Sequence, residues 1–326
     1  MFSKRYKHVL VTGGAGFIGS HLTEALLNEG CAVTIVDDLS TGRWENISHL
    51  EGLEGFRAII SSADDRDLLA AEMPRHDFVF HLASAVGVRN IVEHPVHTVQ
   101  SIFGPTEAVL HFCARYRRPF LLTSTSEVYG KSEAIPFREE SDTVMGPTEK
   151  RRWAYACAKA LDEFLALAYH HETRLPVYVV RLFNTVGRRQ TGQYGMVLPS
   201  FVKRALAGEA LLVHGDGEQQ RCFCSVLDIV QGLLRVALCK EAVGRVVNLG
   251  SQDEVSMKAL ARRVVELTNS KSEIRIVPYS EVYGEGFDDM RRRVPDLGRA
   301  KALVDWAPRY GLDDIIRQVI DGTQGG

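Results

Sequence analysis

Short apolar runs alternate with stretches of helical periodicity along the first half of the chain. Apolar runs predict buried strands at residues 8–11, 32–36, 77–82, 120–123 and 177–182. Apolar residues at helical spacing predict helices between them, at residues 20–29, 98–115 and 155–171. Strands that alternate with helices indicate an α/β protein with a doubly wound parallel sheet that is covered on both faces.

The second half of the chain has a looser pattern, in which glycine, proline and charged residues become more frequent. Helices are predicted at residues 199–207 and 256–269, with irregular segments around them. We therefore expect a first domain at residues 1–182 and a smaller, mostly helical domain at residues 183–326 that covers a substrate. An apolar segment near residues 225–250 is expected to return to the first domain.

The charge of the chain is balanced, with 39 lysines and arginines against 41 aspartates and glutamates and a formal net charge of -2. This balance gives no electrostatic case for binding nucleic acid or an anionic membrane. No apolar run approaches the roughly 20 residues that a membrane helix needs. The first residues also lack the long apolar stretch of a signal peptide, so we expect a cytoplasmic protein.

The six cysteines are spread along the chain and do not indicate a disulfide framework. Cys222 and Cys224 form a C-x-C pair, but no second Cys/His pair has matching spacing, so we predict no metal site. We expect all six to be free thiols that are buried or half-buried.

A glycine-rich motif stands between the first predicted strand and the first predicted helix. Its glycines allow a tight turn, close approach to a pyrophosphate and close helix–strand packing, and the helix N-terminus attracts phosphate. Asp37 ends the next strand, where a carboxylate accepts hydrogen bonds from an adenosine ribose and repels the 2′-phosphate of NADP. The motif predicts a Rossmann-type NAD site with contacts from Gly13, Gly16, Phe17, Ile18, Gly19 and Asp37.

Tyr155 and Lys159 are four residues apart on a predicted helix, so both side chains lie on one face. A neighbouring ammonium favours the phenolate, and we expect Lys159 to lower the pKa of Tyr155. Thr125 and Ser126 follow an upstream strand, at the edge where α/β sheets bind ligands. Together these residues predict a catalytic group.

These motifs resemble the extended short-chain dehydrogenases that act on nucleotide sugars, along nearly the whole chain. The resemblance implies that Thr125, Tyr155 and Lys159 position a sugar 4-hydroxyl for hydride transfer to NAD. It also implies cofactor contacts at Asp64, Leu82 and Ala83, and substrate contacts at Ser126, Asn184 and Arg221, the last two at the nucleotide diphosphate. It further suggests a homodimer joined by the helices at residues 98–115 and 155–171. Arg188 departs from the family pattern, which commonly has proline there.

Two features resemble UDP-glucuronate decarboxylases within that family. Glu127 lies two residues after Thr125, where 4-epimerases typically have a small residue, and Arg293 matches an arginine that meets the substrate in the decarboxylases. The decarboxylase domain of the bacterial aminoarabinose pathway also has a similar Arg152-Trp153-x-Tyr155 segment and a similar segment at residues 283–295. We therefore expect decarboxylation of UDP-glucuronate.

Other functions stay open on the sequence. The main alternative is 4-epimerisation of UDP-glucose or UDP-glucuronate, and a remote one is an inactive NAD-binding sensor. The sequence does not decide whether a decarboxylated 4-ketone is reduced or released, nor which base the nucleotide carries.

Overall fold

The structure is a computed structural model, which describes residues 1–84, 94–192, 196–283 and 290–324. Part of the predicted decarboxylase-like segment, residues 284–289, lies outside the described residues. The side chains of Ser280 and Tyr283 lie outside them as well.

Seven parallel strands form the main sheet, in the order β11-β6-β5-β4-β1-β2-β3. Their bounds are β1 His8–Thr12, β2 Ala32–Asp37, β3 Phe56–Ile60, β4 Phe78–His81, β5 Phe120–Thr125, β6 Val177–Leu182 and β11 Arg245–Leu249. Six short strands pair in twos outside it: β7 Thr185–Val186, β8 Leu211–His214, β9 Gln220–Cys222, β10 Cys224–Ser225, β12 Glu254–Ser256 and β13 Ile274–Val277.

The helices that pack around the main sheet are α1 Phe17–Asn28, α2 Arg66–Glu72, α3 Pro95–Tyr116, α4 Trp153–Thr173, α6 Val226–Leu238 and α9 Gly298–Val304. The others are α5 Val197–Leu206, α7 Met257–Leu267, α8 Tyr279–Tyr283 and α10 Leu312–Gln324. This arrangement confirms the predicted doubly wound α/β fold.

The sheet is buried because its strands are apolar on both faces. Val9 and Val11 of β1 pack into one core with α1 and α6, whereas Leu10 packs into a second core with α3 and α4. A third core lies among α5, α7 and α10 and includes Phe201 and Leu260. The predicted domain division at residue 182 agrees with this separate core and remains a prediction.

The segment at residues 225–250 supplies α6 and β11, and β11 pairs with β6 at the edge of the main sheet. Within residues 1–182 the sequence pattern missed β3 and α2, and beyond residue 182 it missed the short strands and the helices α9 and α10. β3 is the opposite edge strand and is only half-buried, so it lacks the continuous apolar run of the central strands. α2 is only seven residues long and begins at an Asp65 cap.

The six cysteines are free thiols. Four are buried and Cys239 is half-buried, but Cys157 is exposed on α4, so the expectation that all six would be covered is wrong there. No helix within the described residues combines the length and the apolar character that crossing a bilayer would demand. Arg188, the departure from the family pattern, forms a surface ion pair with Asp321 of α10 at 3.1 Å.

Candidate active site

One cavity of about 1040 Å³ runs along the edge of the sheet where the parallel strands end. This is the edge at which doubly wound sheets bind ligands. Every residue that the sequence predicts to touch cofactor or substrate lines this cavity: Gly13, Gly16, Phe17, Ile18, Gly19, Asp37, Asp64, Leu82, Ala83, Thr125, Ser126, Glu127, Tyr155, Lys159, Asn184, Arg221 and Arg293. The structure thus brings the whole predicted set together, and the individual roles remain predictions.

The glycine turn leaves no room for side chains at two of its positions. Gly13 has a φ of +74°, and a Cβ there would lie 2.6 Å from the backbone nitrogen of Ala83. A Cβ on Gly19 would lie 2.0 Å from the carbonyl oxygen of Gly13. α1 begins directly after Gly16, and no described side chain caps its N-terminus. The first amides of the helix are therefore left without side-chain acceptors where the turn lines the cavity. This cradle fits the pyrophosphate of a dinucleotide.

Asp37 is buried at the end of β2 and braces the glycine turn. One carboxylate oxygen accepts a hydrogen bond from the amide of Ala15 and the other from the amide of Leu39, both at 2.9 Å. Burial raises the pKa of Asp37, and the two amide bonds oppose that shift. The carboxylate therefore has a local structural role, which the sequence did not predict, besides the predicted contact with the adenosine ribose of NAD.

Thr125, Glu127 and Tyr155 meet at the end of β5. The Thr125 hydroxyl accepts a hydrogen bond from the amide of Glu127 at 3.2 Å and also bonds to the side chain of Tyr155. Burial and then the carboxylate of Glu127 raise the pKa of Tyr155, against the smaller opposing effect of the Thr125 bond. The pKa of Tyr155 is therefore raised in the protein alone, and the expectation that it would be lowered is wrong.

Lys159 lies one turn after Tyr155 on α4 and is buried. Its ammonium nitrogen lies 3.3 Å from a carboxylate oxygen of Asp162, which is fully buried. Sequence reasoning missed Asp162, because an acidic residue three positions after a lysine is common on exposed helix faces. The signal that could have identified it is the small size of its helical neighbours Ala158 and Ala166, which mark that face as closely packed.

Glu127 is held between two arginines. Its carboxylate forms an ion pair with Arg293 and a second one with Arg152 at 3.3 Å. Both arginines are buried, and Glu127 is only 15% exposed. The structure brings together the predicted pair Glu127 and Arg293, and it adds Arg152, which the sequence noted only as part of a motif. Arg152 directly precedes α4, three residues before Tyr155.

The predicted diphosphate contacts, Asn184 and Arg221, lie on neighbouring segments that line the same cavity. The Asn184 side chain donates to the carbonyl of Cys222 at 2.9 Å, which places it beside the strand that carries Arg221. The Arg221 guanidinium donates to the carbonyls of Gln220 and Arg291, at 2.8 and 3.2 Å. These backbone contacts fix the guanidinium at the cavity wall, where it can meet phosphate oxygens.

Comparisons with known proteins agree with this geometry. The NAD dependent epimerase/dehydratase family matches residues 9–250. A UDP-N-acetyl-alpha-D-glucosaminuronate decarboxylase from Bacillus cytotoxicus is 38% identical over 315 residues, which cover 96% of this chain and 97% of that protein. UDP-glucuronic acid decarboxylase 1 from Xenopus tropicalis is 38% identical over 317 residues, which cover 97% of this chain and 72% of that protein.

Among solved structures, a UDP-glucuronic acid 4-epimerase from Bacillus cereus in complex with UDP-glucuronic acid and NAD superposes with a TM-score of 0.87. It is 26% identical, and the match covers 98% of this chain and 99% of that chain. The fold, the dinucleotide cradle at Gly13 and Asp37, and the tyrosine–lysine pair agree with the resemblance seen in the sequence. By its sequence and its structure, this chain belongs to the NAD-dependent epimerase/dehydratase family.

Proposed function

We propose that this protein oxidises C4 of a UDP-linked uronic acid and then releases the C5 carboxylate as carbon dioxide. The observation that carries the proposal is the carboxylate of Glu127 held by Arg152 and Arg293 next to Tyr155. Two guanidiniums at the reacting end of the cavity suit a sugar that carries its own carboxylate. The named relatives that decarboxylate UDP-linked uronates support the same reaction.

The first chemical step belongs to Thr125 and Tyr155. Thr125 orients the 4-hydroxyl, and the Tyr155 oxygen accepts its proton, assisted by the positive charge of Lys159. NAD, held by the glycine turn and Asp37, supplies the hydride acceptor when it is bound. The product of this step is a 4-keto sugar, in which the C5 carboxylate has become a β-keto acid.

The second step breaks the bond between C5 and its carboxylate. The electron pair moves toward the C4 carbonyl, which becomes an enolate, and carbon dioxide leaves. Arg293 orients the departing carboxylate, and C5 then takes a proton from Arg293 or from a water molecule beside it. Glu127 places a negative charge near the substrate carboxylate, which favours loss of that charge as carbon dioxide.

A direct test is incubation of the purified protein with NAD and three UDP-sugars in parallel. UDP-glucuronate and UDP-N-acetylglucosaminuronate are the sugars in the names of the two relatives, and they differ from each other at C2. UDP-glucose lacks the carboxylate. Mass spectrometry of the products should show loss of carbon dioxide from at least one of the two uronates. Recovery of all three sugars unchanged, with no NAD reduction, would instead favour the inactive sensor.

The second candidate is 4-epimerisation, which the Bacillus cereus structural neighbour favours. An epimerase must keep every carbon of its intermediate and let the keto sugar turn over before hydride returns. An arginine that holds the carboxylate opposes that rotation. Conversion of UDP-glucuronate to UDP-galacturonate with no pentose product would establish the epimerase.

We also propose a homodimer joined through α3 and α4. These two helices pack against each other and expose Val96, Val99, Leu161 and Phe164, of which Val96 and Phe164 are about 70% exposed. Burying such a patch against a second copy removes apolar surface from water. Sedimentation analysis of the full chain tests this assembly.

A further inference from the structure

Asp162 is a fully buried carboxylate that takes no part in the proposed chemical steps. It lies on α4 one turn beyond Lys159, and a carboxylate oxygen lies 3.3 Å from the Lys159 ammonium nitrogen. Neither side chain is more than 3% exposed. A buried ion of either sign is costly unless an opposite charge lies beside it, so each of the two groups depends on the other.

Side chains from other elements lie around Asp162. Thr106 of α3 lies near the carboxylate, but its hydroxyl donates to the carbonyl of Ile102 at 3.0 Å, and one buried oxygen of Asp162 has no hydrogen-bond partner within the described residues. The ring of His81, at the end of β4, bonds to the Thr106 hydroxyl at 3.1 Å and to the Thr12 hydroxyl at 2.7 Å. Burial and then the positive charge of Lys159 lower the pKa of His81 to about 3, so this imidazole is neutral. A buried hydrogen-bonded chain therefore runs from Thr12 at the end of β1 through His81 to Thr106, beside the pair of Asp162 and Lys159.

Titratable side chains from several elements surround the pair of Asp162 and Lys159. Neutral His81 faces the pair from β4, and Glu163 of α4 lies beside it but forms an ion pair with Arg181 of β6. The charges of Glu127 and Arg293 also act on Tyr155. Burial is the main cause of the raised pKa of Tyr155, and the carboxylates of Glu127 and Asp162 raise it further.

We propose that Asp162 is a positioning residue, which fixes the Lys159 ammonium behind Tyr155 and keeps one negative charge beside the tyrosine during turnover. Lys159 can then act on the phenolic oxygen without leaving its own charge unbalanced in the protein interior. This inference rests on the proposed oxidation at C4 by Tyr155, but it does not depend on the later loss of carbon dioxide.

The test compares Asp162→Asn and Asp162→Glu with the unchanged protein. The measured quantity is the pH dependence of the rate of oxidation at C4, followed as NADH formation in a single turnover with the UDP-sugar that the unchanged enzyme oxidises best. Tyr155 must be able to accept a proton, so the rate falls on the acid side. Removing the Asp162 charge lowers the pKa of Tyr155, and the acid limb should move to lower pH by about one unit. Asp162→Glu, which keeps the charge, should leave that limb in place.

A second neutral variant, Asp162→Ser, guards against failure of the asparagine variant to fold, because serine is smaller. A readout independent of activity is thermal unfolding of Lys159→Met, Asp162→Asn and the double variant. The double variant should lose less Tm than the sum of the two single losses, because it leaves no unpaired buried charge.

The outcomes separate the two proposals. If the unchanged protein neither reduces NAD nor converts any of the UDP-sugars, the proposed function fails. If it does reduce NAD and the neutral variants keep the acid limb of the unchanged protein, Asp162 has a merely structural role and the inference is overturned. Additive losses of Tm would overturn the pairing of Asp162 with Lys159.

Discussion

The two ends of the cavity are built in different ways. The cofactor end is made mainly of backbone, namely a glycine turn and the start of α1. The Asp37 carboxylate braces this turn by accepting from two amides. The reacting end is made of charged side chains from distant segments, such as Glu127 paired with Arg152 and Arg293. A backbone cradle tolerates few substitutions and recognises the pyrophosphate that dinucleotides share, whereas a cluster of charged side chains can select one sugar chemistry within a shared fold.

The largest expected effect is on the oxidation at C4, because this step needs both the cofactor end and the reacting end of the cavity. Tyr155→Phe should lower turnover by roughly 10²–10⁴-fold, because the phenol oxygen is the proton acceptor and the ring that remains keeps its shape. Substrate affinity should change little. The measurement is kcat with the preferred UDP-sugar, together with equilibrium binding of the same sugar.

Tyr169→Phe offers a matched control, since Tyr169 lies on the same helix but outside the cavity. It should keep turnover close to that of the unchanged protein. Near-full turnover in Tyr155→Phe would mean that another group accepts the proton.

The next effect separates the reacting end from the cofactor end. Arg293→Ala and Glu127→Ala should each suppress carbon dioxide release by about 10²-fold, the typical loss when one stabilising group is removed from a reacting site. Oxidation at C4 should survive better, visible as NADH absorbance without a matching amount of pentose product. Carbon dioxide capture and NADH absorbance measured on the same sample report the two steps separately.

Arg292→Ala is the control for the arginine change. Arg292 is adjacent in sequence but lies on the surface, where it pairs with Glu254 at 2.8 Å. Its loss should leave both steps unchanged. Equal loss of both steps in Arg293→Ala would show that Arg293 serves binding in general rather than decarboxylation.

The same contrast explains which parts of the site the sequence could predict. Gly13, Asp37, Tyr155 and Lys159 are set by spacing within one strand–turn–helix unit or one helical turn, so a local pattern is enough. Asp162 was missed because its burial depends on side chains from α3 and β4, which no local pattern links to it. The direction of the Tyr155 pKa was wrong for the same reason: burial and then Glu127 raise it, and neither is visible in the local spacing of Tyr155 and Lys159.

The fold shows the same division between local and distant information. β6 was predicted at its observed bounds because residues 177–182 are mostly apolar, include three valines and follow Pro176. β3 was missed because it is a half-buried edge strand with Arg57 in its second position. An edge strand carries both apolar and polar residues, so its own sequence does not mark it as a strand. It becomes a strand because the neighbouring strand of the sheet pairs with it.

At the cofactor end, Asp37→Ala should weaken NAD binding by about 10- to 100-fold, since a charged acceptor contributes roughly 1.5–3 kcal/mol. It should also narrow the preference for NAD over NADP. Asp37→Asn separates the two roles, because its side-chain oxygen can still accept one of the two amide bonds while the charge is gone. Fluorescence titration of the unchanged protein and each variant with NADH and NADPH measures both the loss of affinity and the preference between the two cofactors. Equal affinity for the two cofactors in the unchanged protein would contradict the assignment of Asp37.

The smallest expected effect distinguishes two adjacent carboxylates at the cofactor end. Asp64 lines the cavity, whereas Asp65 caps α2 by accepting from the amide of Leu68 at 3.0 Å. Asp64→Ala should therefore weaken NAD binding and leave Tm unchanged, and Asp65→Ala should lower Tm slightly and leave NAD binding unchanged.

The amide of Leu68, followed by the hydroxyl of Ser61, lowers the pKa of Asp65. A carboxylate with a lowered pKa in the folded state stabilises the protein above its unfolded pKa and loses that effect as the pH falls through the folded value. The difference in Tm between the unchanged protein and Asp65→Ala should therefore be largest near neutral pH and shrink in acid. A Tm difference that is constant down to strongly acidic pH would show that the cap does not depend on the charge of Asp65.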